Sequence, residues 1–143
     1  MSAFVFISTH RGIVSQIVGA DPDRQHDVTL VVADGKGDET VDGVNVIDIG
    51  LVGRGRLSPL FDKSAVTRTL VRLSPADDGA RVAKRLRRHE RATAAALAAE
   101  FVVACDRDSI LAAWESTTGS GSAALGLSRL PGGLAALRRA AAH

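Results

Sequence analysis

The sequence predicts an α/β domain with a mostly parallel sheet and flanking helices, and three observations predict it. Short blocks of uninterrupted apolar residues recur along the chain, as expected of strands buried on both faces. Those blocks alternate with Ala-rich stretches of helical character, the pattern of parallel strands joined by crossovers. Hydrophobic residues make up 45% of the 143 residues and aromatics only 3%, with no Tyr. The core must therefore be Val, Leu, Ile and Ala, and the length suits a single domain.

Taken in order, Ala3-Phe4-Val5-Phe6-Ile7 is the first strand, ended by the polar run Ser8-Thr9-His10-Arg11-Gly12. A short helix is expected over 13–18. Pro22 breaks it, because proline disfavours helix at the residue before it. Val28-Thr29-Leu30-Val31-Val32-Ala33 is the second strand. It stops at Asp34-Gly35-Lys36-Gly37-Asp38, residues that tolerate positive φ. Val44-Asn45-Val46-Ile47-Asp48-Ile49 is the third strand. Residues 50–59, with Arg54 and Arg56 among glycines, are expected to form a mobile basic loop, and 64–73 a helix ended by Pro75. Asp77 and Asp78 suit the start of the next helix, which is expected to run to about Glu100. Phe101-Val102-Val103-Ala104-Cys105 is the fourth strand, followed by a helix over 110–115. The expected organisation is a domain over 1–116, a Gly/Ser-rich linker over 117–131 and a short C-terminal helix over 132–143.

Composition excludes several functions. So few aromatics leave no stacking platform for sugars or single-stranded nucleic acid. The single cysteine, Cys105, allows no internal disulfide and reads as a core residue. The first residues lack the basic and apolar regions of a signal peptide, and no apolar run reaches the ~18 residues of a membrane span. A soluble, cytoplasmic chain is expected. The net charge of +2 hides an asymmetry: residues 1–50 hold eight carboxylates and three Lys/Arg, residues 51–100 five and eleven. Such asymmetry suits an anionic partner. Helical spacing puts Arg81, Lys84, Arg85 and Arg88 on one face. That face reads either as a solvated surface or as a contact for anionic lipid, with attachment at the inner face of the membrane. No recognition module accompanies it, so nucleic acid is not expected.

Ligands of parallel sheets bind beyond the carboxyl ends of the strands, which directs attention to the loops at 8–12, 34–37 and 106–109. Gly35-x-Gly37 follows a strand as a dinucleotide loop would, yet Asp38 and Glu39 would repel phosphate and a third glycine is missing. A tight turn is the better reading, and no cofactor is expected. In the first loop, His10 suits a general base on a hydroxyl, Arg11 a bidentate anion contact, and Gly12 a close approach of ligand to backbone. A solvated polar loop is the alternative. Asp106-Arg107-Asp108 spells a D-x-D, which can hold a divalent metal. Asp108 and Ser109 equally suit a helix cap or a ligand contact. The scattered histidines exclude a zinc site, and no metal is expected.

The run His26-Asp27-Val28-Thr29-Leu30-Val31-Val32-Ala33-Asp34-Gly35-Lys36-Gly37-Asp38-Glu39, followed by Asp42-Gly43-Val44, resembles a segment of the family 4 glycosyltransferases. There a G-H-x-V-T-L-V-V-A-D-G-K-G-D-E … D-G-V-x-I stretch forms the second and third strands of the N-terminal domain. Phe6-Ile7-Ser8-Thr9-His10-Arg11 resembles the family's first strand and loop, and residues 100–114 a later strand and helix. The close match covers about twenty residues. Asp21-Pro22-Asp23-Arg24 interrupts a helix that is longer in the family, and Ala104-Cys105-Asp106-Arg107-Asp108 replaces its His-rich loop. The resemblance implies a Rossmann-like, acceptor-side half of a GT-B fold. Its reaction would be transfer of a sugar from a nucleotide-activated donor to a hydroxyl. His10 and Asp106 are the implied catalytic residues, and Arg11, Gly12, Asp108 and Ser109 the implied acceptor contacts. The family's donor-binding domain has no counterpart in these residues, which implies a fragment, a truncated paralogue, or a partner chain that supplies the missing half. A non-catalytic, self-associating Rossmann-like domain is the alternative.

Overall fold

A computed structural model describes residues 2–51, 77–118 and 126–143. The basic loop and helix expected over 50–59 and 64–73 fall almost wholly outside those residues.

Six strands form one sheet in the order β3-β4-β2-β1-β5-β6. They are β1 (Ala3–Ser8), β2 (Asp27–Val32), β3 (Glu39–Val41), β4 (Val44–Asp48), β5 (Phe101–Ala104) and β6 (Gly126–Arg129). All neighbouring pairs are parallel except β3 with β4. The fold is therefore α/β, with a mostly parallel Rossmann-like sheet. The continuous apolar runs are explained by two-sided burial, since side chains alternate faces along a strand. One face carries Val5, Ile7, Val31, Ala33, Ile47, Val102 and Ala104. The other carries Phe4, Phe6, Leu30, Val32, Val46 and Val103.

Helices cover both faces. On the first lie α2 (Asp78–Arg88), α3 (Glu90–Ala98) and α4 (Ile110–Thr118), packed through Val82, Ala83, Leu86, Ala92, Ala112 and Ala113. On the second lie α1 (Val14–Ala20) and α5 (Leu130–Ala141), packed through Ile17, Leu134 and Leu137. The small side chains let helices approach closely. A Cβ on Gly133 would sit 2.5 Å from both methyls of Val103.

Three local features differ from expectation. The helix expected to reach Glu100 is divided at His89, whose extended backbone (φ −99°, ψ 101°) ends α2 and begins α3. The His89 imidazole accepts a hydrogen bond from the Ala92 N–H and so caps the second helix. The hairpin joining β3 to β4 turns on Asp42 and Gly43, both at positive φ, as a two-residue loop matching sheet twist requires. The linker expected over 117–131 is shorter: α4 runs to Thr118, Gly126–Arg129 pairs with β5, and α5 begins at Leu130. Among the described residues no helix is long and apolar enough to cross a membrane.

Candidate functional site

Because β4, β2, β1, β5 and β6 are parallel, their carboxyl ends share one edge of the sheet, and the loops that follow them form a continuous rim. The chain moves from β1 outward to β2 and β4, then returns to the other side of β1 for β5 and β6. The strand order thus reverses between β1 and β5, where such sheets open a crevice. The loops holding His10, Arg11 and Gly12 on one side, and Asp106, Arg107, Asp108 and Ser109 on the other, flank it.

Asp106 closes that crevice. Its carboxylate accepts hydrogen bonds from the Thr9 N–H (2.7 Å), the Thr9 hydroxyl (3.0 Å) and the Ser8 hydroxyl (3.1 Å) on β1's side. It also accepts from the Ser109 N–H at 2.9 Å, while the Ser109 hydroxyl pairs with the Asp106 backbone. This is a reciprocal capping box. The cap is therefore Asp106 rather than Asp108, and Ser109 is fully buried. Ser109 positions the loop and is not exposed to an acceptor. Asp106 holds two loops together with all its acceptor capacity engaged in this state, so its geometry is that of a latch.

Arg11 is also occupied. Its guanidinium forms a bidentate fork on Asp34 (both contacts 2.6 Å), reaches the Gly37 carbonyl at 3.1 Å and pairs with Glu39. Only 16% of its side chain and 11% of that of Asp34 are exposed. The fork lowers the Asp34 carboxyl below its ordinary range and raises the guanidinium. Asp48, at the end of β4, receives the N–H groups of Gly35, Gly37 and Gly50 at 2.7–3.2 Å. A phosphate approaching this loop would find its donors already paired, which agrees with the tight turn expected at Gly35-x-Gly37. Asp38 accepts from the Asp48 N–H and pairs with Arg91.

His10 is exposed, with its backbone N–H on the Ser8 hydroxyl and its Nδ1 accepting from the Gly12 N–H at 3.2 Å. A neutral ring in that arrangement carries its proton on Nε2. The expected base role of His10 at Nδ1 requires that the Gly12 contact be released. A Cβ at Gly12 would lie 3.2 Å from that ring nitrogen. Asp108 is half-buried, and its carboxyl is raised by burial and by Asp78, Asp106 and Asp77. Its charged neighbours thus include the acidic start of α2, away from the crevice. Among the described residues, no group of three or more His, Cys, Asp or Glu gathers that could hold a metal ion.

On α2, Lys84, Arg85 and Arg88 are exposed, while Val82, Ala83 and Leu86 face the sheet. Arg81 is half-buried and pairs with Asp78 at 3.9 Å. Arg85 departs from the common face, lying over Gly50 beyond β4. The thiol of Cys105 is half-buried, and that burial raises it above its ordinary range, which disfavours the thiolate.

Sequence reasoning missed Asp48 and Arg129. Asp48 had a signal, since it stands at the carboxyl end of a strand beside a glycine. Arg129 had none, because β6 was taken for linker. Arg129, Leu130 and Pro131 form, with Ala104, Cys105, Asp106, Arg107 and Ile110, an open pocket of about 470 Å³ beyond β5 and β6. Compared with protein-family models, curated proteins and solved structures, the chain matches none.

Proposed function

We propose that this chain is the acceptor-side half of a GT-B-type sugar transferase, one wall of a cleft that a donor-binding domain completes. The observation that carries the reading is the reversal of strand order between β1 and β5. It sets the loops at 8–12 and 106–109 on either side of one crevice; the first belongs to a segment that resembles the family 4 enzymes, and the second stands where the family carries its His-rich loop. In the reaction a glycosyl group passes from a nucleotide donor to an acceptor hydroxyl. The acceptor hydroxyl attacks the anomeric carbon as the bond to the nucleotide breaks, and the nucleotide leaves with that electron pair. His10, its Nδ1 released from the Gly12 N–H, takes the hydroxyl proton. Asp106 fixes the loops on either side, and closure of the second domain excludes water and aligns the attack.

The test is transfer from radiolabelled nucleotide sugars. It compares the chain alone with the chain mixed with a separately produced donor-binding domain. Transfer is expected only in the mixture and should fall about 100-fold in His10→Ala. Turnover by the chain alone would overturn the incomplete cleft, and no turnover in the mixture would count against the enzyme.

A second reading, a non-catalytic interaction domain, is favoured by one observation: Asp106 and Arg11 are satisfied within the chain itself. Leu97, Leu111 and Trp114 remain 41%, 37% and 52% exposed on the helix layer, a surface suited to self-association. A strict monomer in sedimentation would exclude it. Attachment to anionic lipid through Lys84, Arg85 and Arg88 is the extension of either reading. Liposome co-sedimentation that weakens with salt is its mark.

A further inference from the structure

The rim is divided electrostatically. On the side of β2 and β4, Asp34, Asp38, Glu39 and Asp48 face Arg11, Arg91, Lys36 and Arg85, and Arg11 and Arg91 are held in ion pairs. An anion finds the loop's N–H groups and these two arginines already engaged there. In the pocket beyond β5 and β6 cations prevail, two arginines against one carboxylate. Arg107 and Arg129 line the pocket of about 470 Å³, and neither has an ion pair among the described residues. The third charged residue of the lining, Asp106, has its oxygens engaged by Ser8, Thr9 and Ser109. The remaining lining is largely apolar: Ala104, Ile110, Leu130 and Pro131. The start of α5 at Arg129 carries no side-chain cap, so its first turn adds positive potential to the same wall.

We infer that this pocket binds a small organic phosphomonoester, with the phosphate between Arg107 and Arg129 and the organic group against Ile110, Leu130 and Pro131. Two guanidiniums offer the forked donors that phosphate oxygens accept best. The pocket volume falls within the range of small-molecule sites, roughly 300–1,000 Å³. The apolar floor distinguishes an organic phosphate from the free ion, because only the former removes apolar surface from water. The inference does not rest on sugar transfer; the site exists whether or not the cleft is catalytic.

The test is an amide-shift titration of the isotopically labelled full chain by NMR, with inorganic phosphate and with phenyl phosphate as probes. Saturable shifts are expected at residues 104–110 and at Arg129, Leu130, Gly132 and Gly133. Phenyl phosphate should bind about tenfold more tightly than inorganic phosphate. Arg107→Gln and Arg129→Gln, both at exposed positions, should each weaken it on the order of tenfold, and Lys84→Gln should leave it unchanged. Equal affinity for the two probes would overturn the organic phosphomonoester. Shifts confined to residues 84–91, or arginine variants that bind like the parent, would overturn the site. So would the absence of saturation by about 50 mM phenyl phosphate, a concentration far above a millimolar Kd. A failed sugar-transfer assay leaves these outcomes untouched.

Discussion

Replacing Asp106 by alanine tests whether the loops beside the crevice are held by one carboxylate. Four donors converge on it: two hydroxyls, from Ser8 and Thr9, and two backbone N–H groups, from Thr9 and Ser109. The hydroxyls can rotate toward other acceptors, so their loss costs little. The N–H groups cannot. Losing the cap on Ser109 costs about 1 kcal/mol, and stranding the partly buried Thr9 N–H costs about 1–3 kcal/mol. The expected loss is about 3 kcal/mol, a large part of the ~5–15 kcal/mol that holds a domain together. Asp106→Asn keeps an oxygen for Ser109 but turns an amide toward the Thr9 N–H, and should lose about half as much. Urea unfolding followed by circular dichroism and by Trp114 fluorescence measures both. A midpoint for Asp106→Ala within about 0.5 kcal/mol of the parent would refute the latch.

Arg11→Lys should cost about 1–2 kcal/mol at neutral pH, because an ammonium cannot fork onto Asp34. The lowered Asp34 carboxyl contributes stability above its unfolded value near pH 4, and this is lost as pH falls through the folded value. The unfolding curves of parent and Arg11→Ala should therefore converge on acidification. Asp108 has the opposite sign, since its raised carboxyl favours the folded state only while protonated. Asp108→Asn should stabilise the protein at neutral pH, with the gain vanishing below about pH 4. Gly133→Ala gains about 1 kcal/mol of helix propensity but drives a Cβ into Val103, an overpacking worth about 1–3 kcal/mol. A net loss of up to ~2 kcal/mol is expected by thermal or urea unfolding, and it should shrink when Val103 is also reduced to alanine.

Much of this architecture was legible because two-sided burial writes itself as apolar runs: β1 and β5 are nearly uninterrupted, β2 is broken only by Thr29 after its first residue, and β4 keeps Val44, Val46 and Ile47. The rim loops were legible too, since polar residues at carboxyl ends of parallel strands must share one edge. What the sequence alone determined was thus four of the six strands and the rim loops at 8–12, 34–37 and 106–109. It did not determine their roles. β6 holds one large apolar residue, Leu127, and its pairing with β5 makes it a strand. The break at His89 depends on a single backbone dihedral pair. Arg11 meets Asp34, and Asp106 meets Thr9, across separations of 23 and 97 residues, and no local pattern encodes such contacts. Only the tertiary structure decided that Asp106 and Arg11 are satisfied within the chain while Arg107 and Arg129, at the pocket, form no ion pair among the described residues. Local burial and backbone preference are properties of a segment, whereas charge pairing depends on which segments the fold makes neighbours.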